Sequence, residues 1–159
     1  LGAHRDLQAA LNELRAGREQ LEALLGASFS AVLVPPWNRV AAEVIQGLPD
    51  VGLGCLSTFG IAPLNGRIQG IPCVNTHVDI IDWRGARGFA GESAVLSQLL
   101  AHIDARVEGR ANVVEATGLL THHLVHDDAS WHFLEALSAW LGEQADVQAL
   151  GPEHLFVCA

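Results

Sequence analysis

No methionine occurs at any of the 159 positions, not even the first. We therefore expect the chain to be a piece, or a processed form, of something longer. Basic residues are scarce: nine Lys+Arg against eighteen Asp+Glu give a formal net charge of -9. That is the wrong sign for a surface that must neutralise phosphates, so nucleic acid is excluded as an expected partner. Cysteines are few. Cys55, Cys73 and Cys158 lie far apart in apolar surroundings, a pattern of neither a disulfide framework nor a C-x-x-C metal site. They are expected to be buried, reduced thiols, which fits a reducing, cytoplasmic compartment. No apolar run reaches the ~18 residues that a membrane span needs. Asp6, Glu13 and Glu19 stand where a signal peptide would carry a basic start and an apolar stretch.

What is present asks for a folded domain. Half of the residues are hydrophobic, 17% are charged and the mean hydropathy is +0.26, far from the composition of a disordered chain. At 16.9 kDa the length suits one compact unit better than two, so residues 1–159 are read as part of a single domain.

From Asp6 to Leu25 the apolar residues recur at three- and four-residue steps, which predicts an amphipathic helix stopped at Gly26. Ala31 to Val34 is a short apolar run closed by Pro35-Pro36, the pattern of a strand buried on both faces. Asn38 is placed to cap a second helix reaching about Gly47. Val51 to Ser57 reads as another short strand, and Thr58 to Ile71 as a loop. Val74 to Ile81 mixes β-branched with polar residues, as expected of a strand that delivers side chains to a site. Glu92 to Val107 has helical spacing throughout. Gly118 to His122 reads as a strand, after which Asp127 or Asp128 caps a final helix; His154 to Val157 reads as a last strand. Short apolar strands alternating with helices predict an α/β fold with a parallel sheet, whose functional residues collect where strands end.

Three constellations stand at such ends. Val34-Pro35-Pro36-Trp37-Asn38-Arg39 presents an aromatic ring, an amide and a guanidinium after a buried strand. In Asp79-Ile80-Ile81-Asp82-Trp83-Arg84, two aspartates flank a pair of isoleucines, and a partly desolvated carboxylate there needs a cationic or hydrogen-bonding partner. Local pairing of Asp82 with Arg84 or Arg87 is the plainer explanation. The third run, Leu120-Thr121-His122-His123-Leu124-Val125-His126, holds three histidines in five residues. Neighbours on a strand face opposite ways, so only one of His122 and His123 can enter a given site. Read as a helix instead, His122, His123 and His126 suggest a metal cluster.

In this order and spacing, the three constellations resemble the last three motifs of the polysaccharide deacetylase family of carbohydrate esterases. The resemblance runs from about Leu33 to His126. It implies the C-terminal part of a distorted β/α barrel that lacks its N-terminal strands. It further implies a metal-dependent hydrolase that removes acetyl groups from an N- or O-acetylated sugar or a related amide. By that resemblance His122 is the general acid, Asp82 the carboxylate that keeps its imidazolium favoured, and Arg39 the cation that orients and acidifies the catalytic base. Trp37, Trp83, Asp79 and His123 are assigned to substrate binding. In many members the arginine precedes the proline of the third motif, whereas Arg39 follows Pro36.

The family's aspartate pair and histidine pair, which hold a divalent metal such as zinc, have no counterpart in this chain. They are expected upstream of Leu1. The chain alone is then expected to bind no metal and to hydrolyse nothing quickly. An apolar face left by the missing strands is expected to be covered by that upstream segment, another chain or a second copy. The competing reading is a non-catalytic module of the same fold that binds carbohydrate through Trp37 and Trp83, or only contacts other subunits.

Overall fold

The computed structural model describes residues 1–2 and 4–156. The chain is α/β, with five α-helices and six two-residue strands among the described residues, and it divides into two compact units. One comprises 1–75 together with the C-terminal segment from Pro152; the other comprises Thr76–Gly151.

In the first unit, α1 spans Leu7–Leu25, and its N-terminus is capped by Asp6, whose carboxylate accepts the Ala9 N–H. It ends at Gly26, where φ is 53°. Only Ala10 and Leu11 of this helix are buried, whereas Leu21, Leu24 and Leu25 are at least half exposed. β1 (Val32–Leu33) pairs in parallel with β2 (Cys55–Leu56), and a parallel bridge from Leu56 to Cys73 continues the pattern. Between them α2 covers only Ala42–Gln46. Asn38 does not cap it. Pro35-Pro36 leads instead into a single 3-10 turn in which Trp37 and Asn38 both take positive φ, so the helix starts after Ala41.

The stretch read as loop holds a hairpin, β3 (Arg67–Ile68) with β4 (Ile71–Pro72), turned by Gln69 and Gly70 at φ of 51° and 86°. Two consecutive positive-φ residues give a twist that suits a two-residue hairpin. The core gathers Leu11, Leu33, Ile45, Leu48 and Leu56. A short helix, α5 (Pro152–Leu155), stands where a last strand was expected; Val157 lies outside the described residues. The cysteine expectation also needs correcting. Cys55 is disulfide-bonded, so cysteine usage does not support a reducing compartment. Cys73 keeps a buried thiol directed at Asn75 Oδ1, 3.1 Å away, and Cys158 lies outside the described residues.

In the second unit, β5 (Val78–Asp79) pairs in parallel with β6 (Leu119–Leu120), Val78 opposite Leu119 and Asp79 opposite Leu120. The crossover is α3 (Glu92–Val107), at the residues its apolar spacing predicted. After β6 comes α4 (Asp128–Gly142), capped by Asp127. Val78, Ile80, Ile81, Val95 and Phe133 form the core. Asp127 does more than cap. Its Oδ1 accepts from Ser130 N–H and Oγ–H, and its Oδ2 accepts the Phe89 N–H, which fastens the 82–90 loop to the start of α4. No helix among the described residues is long and apolar enough to cross a membrane.

Candidate functional site

At the C-terminal ends of β5 and β6, one aspartate, one histidine and one tryptophan meet. Asp79 is the last residue of β5 and lies opposite Leu120, two residues before His122. That register brings the His122 Nε2 atom to 3.3 Å from each carboxylate oxygen of Asp79. Asp79 is in turn held still: Oδ1 accepts the Ile81 N–H at 3.0 Å, and Oδ2 accepts the Trp83 Nε1–H at 2.9 Å. Trp83 also meets the His122 ring edge-on, with centroids 4.8 Å apart. The backbone of Asp79 is clamped by Gln98 of α3. Asp79 N–H donates to Gln98 Oε1 at 3.0 Å, and Gln98 Nε2 donates to Asp79 O at 3.1 Å. A single side-chain amide thus closes an edge of β5 as a neighbouring strand would.

The partner expected for His122 was Asp82. The structure corrects this, since Asp82 Oδ1 accepts the N–H groups of Arg84 and Gly85 and so organises a turn. The loop curls back after Asp79, so the carboxylate that ends the strand faces His122 and the one beyond serves its own backbone. His123 is exposed. His122, His123 and His126 do not gather as metal ligands: His126 Nε2 accepts the His122 backbone N–H, and its ring packs on Trp131. Trp37 and Arg39 belong to the first unit. Trp37 is 85% exposed at a φ of 57°, a conformation that costs a bulky residue backbone energy. The Arg39 N–H closes the turn on Pro36 O.

A second cluster lies at the N-terminal ends of β5 and β6. The side chains of His77, His102 and Glu115 are buried, and their donor atoms lie within 4.8 Å of one another. His77 Nε2 is 3.1 Å from Glu115 Oε1, and His102 Nε2 is 3.5 Å from Glu115 Oε2. The Gly118 N–H points at His77 Nδ1 at 3.1 Å, which makes Nδ1 the acceptor and assigns the proton to Nε2, where it is donated to Glu115. His102 Nδ1 meets the Thr117 hydroxyl at 2.9 Å.

Two imidazoles and a carboxylate are a donor set that suits zinc. Their arrangement does not suit one ion. The rings are stacked, 3.5 Å apart and only 20° from parallel. Lone pairs leaving them run side by side and cannot both converge on an ion about 2.0–2.1 Å from each nitrogen. The proton on His77 Nε2 also occupies the position a metal would take. Burial pushes the His77 imidazole below its ordinary range, helped by its neighbour His102 and by Arg106 and opposed by the hydrogen bond and charge of Glu115. This cluster escaped the sequence reading because its members come from just before a strand, the middle of a helix and a loop, with no spacing motif to join them.

No family model, curated protein or solved structure matches the chain.

Proposed function

We propose that this chain carries the proton-donating half of a hydrolase that removes acetyl groups from an N- or O-acetylated sugar or a related amide. His122 is the acid, and Asp79 is the carboxylate that orients it. One observation carries the reading: the His122 imidazole lies against a carboxylate that is itself fixed by Trp83 and Ile81. A carboxylate so held sets the orientation of the ring. With Nε2 toward Asp79, Nδ1 is the atom that would give a proton to a leaving amine or alcohol, and among the described residues Nδ1 has no hydrogen-bonding partner. His122 retains 26% of its side-chain exposure, enough to be met by a solute.

The order of the motifs supports a partial distorted β/α barrel. A divalent metal in such an enzyme polarises the carbonyl. The stacked His77 and His102 do not fit that ion. A second reading, a non-catalytic carbohydrate-binding module, is favoured by the high exposure of Trp37.

Acetate release from N-acetylated chito-oligosaccharides by the full gene product, with and without chelator, tests both. His122→Gln is expected to lower kcat by ~10²–10⁴. Asp79→Asn should lower kcat by less, and Asp82→Asn should leave it near wild type. Full activity in His122→Gln overturns the first reading. Saturable sugar binding with no turnover by the full gene product overturns it in favour of the second.

A further inference from the structure

The His77–His102–Glu115 cluster, rejected above as a site for a single ion, has a different chemistry available. His77 and Gly118 are joined twice: His77 N–H donates to Gly118 O at 2.7 Å, and Gly118 N–H donates to His77 Nδ1 at 3.1 Å. Gly118 immediately precedes β6, and His77 immediately precedes β5. The imidazole is therefore part of the pairing between the two strands. Both of its nitrogens are committed, one as acceptor and one as donor. A further proton can only arrive at Nδ1, where it would face the Gly118 N–H head-on and destroy that bond.

We propose that this cluster is an acid-sensitive latch: a proton arriving at His77 Nδ1 releases Gly118, unpairs β6 from β5 and so separates His122 from Asp79. The charged and titratable groups facing His77 come from two other elements. Glu115, on the segment between α3 and β6, holds Nε2–H and favours the cation. His102 and Arg106, both on α3, oppose it. His102 lies stacked on the same ring, so a charge on one imidazole disfavours a charge on the other. Asp79 follows on β5 itself, with its carboxylate engaged by Ile81, Trp83 and His122.

The direction follows from linkage. With the latch closed, His77 takes up a proton less readily than a histidine in water; with it open, the ring has its ordinary pKa of ~6.5. The closed form is thus fully favoured above about pH 6.5 and loses ground as the pH falls through that value toward the lowered one. Over that window the opening constant rises by up to about tenfold per pH unit. None of this depends on the chain being part of a hydrolase.

The test is a pH titration of the ¹⁵N-labelled protein by NMR, following the His77 ring nitrogens, the Gly118 amide and the Trp83 indole N–H. Protonation of His77, loss of Gly118 amide protection and movement of the indole signal should coincide below about pH 6.5. The coincidence should survive His122→Gln, which separates the latch from the candidate acid, and vanish in His77→Gln. Protonation of His77 with the Gly118 amide still protected overturns the proposal, as does an unchanged step in His77→Gln. Should His77→Gln not fold, the wild-type and His122→Gln titrations decide.

Discussion

Replacing Gln98 with leucine removes both hydrogen bonds to the Asp79 backbone while keeping a side chain of similar size on α3. In the native protein, Asp79 N–H and C=O are satisfied by Gln98 at 3.0 and 3.1 Å. Among the described residues β5 pairs with no strand other than β6, so none takes Gln98's place, and leucine offers neither donor nor acceptor. An unpaired backbone group costs ~1–3 kcal/mol when fully buried; Asp79 is partly buried, so about 1 kcal/mol per group is the appropriate end of the range. The loss expected for Gln98→Leu is therefore about 2 kcal/mol. Gln98→Glu keeps the acceptor for Asp79 N–H and loses the donor to Asp79 O, so it should cost more than a surface substitution. Urea unfolding at pH 7, where the latch is closed, measures both. Hydrogen exchange at the Asp79 amide localises the effect, because opening there should become easier by the same free energy. A Gln98→Leu variant within ~0.5 kcal/mol of wild type, with Asp79 amide protection intact, would refute the idea that this side chain stands in for a strand.

Two further outcomes follow from the second unit. The Asp127 carboxyl is held down at about 2 by bonds from Ser130 and Phe89, below its ordinary 3.8. A depressed carboxyl stabilises the fold above its unfolded value and ceases to do so as the pH falls through the folded one. The gap in urea midpoint between wild type and Asp127→Ala should thus be constant from neutral pH to about 4 and begin to close below about 3.8. Equivalent zinc added to the metal-free protein at neutral pH should leave the His77 and His102 ring resonances in place. Tight one-to-one binding that Glu115→Gln abolishes would show that the stacked rings can separate and converge on an ion.

The three long helices were legible because their determinants are local. Asp6, the apolar spacing to Leu25 and the positive-φ Gly26 bound α1 within one stretch of chain, and the same holds for α3 and for Asp127 ahead of α4. Strand ends were less legible: runs read as four to eight residues pair over only two, since a strand's length is set by its neighbours. The hairpin at Gln69-Gly70 carried a turn signal in its glycine, but the flanking pairs are too short to show alternation.

The amino-acid order alone was enough to single out the polar residues that meet at the ends of β5 and β6, because a polar residue following an apolar run is costly there unless it finds a partner. It could not choose between Asp79 and Asp82. Which carboxylate meets His122 depends on the pairing of Asp79 with Leu120 and on the turn that engages Asp82, both products of the assembled unit. Nor could it reveal the disulfide at Cys55 or the stack of His77 on His102, for contacts between distant residues leave no periodic trace in a chain. Local propensity chose the elements; packing decided which side chains share a proton.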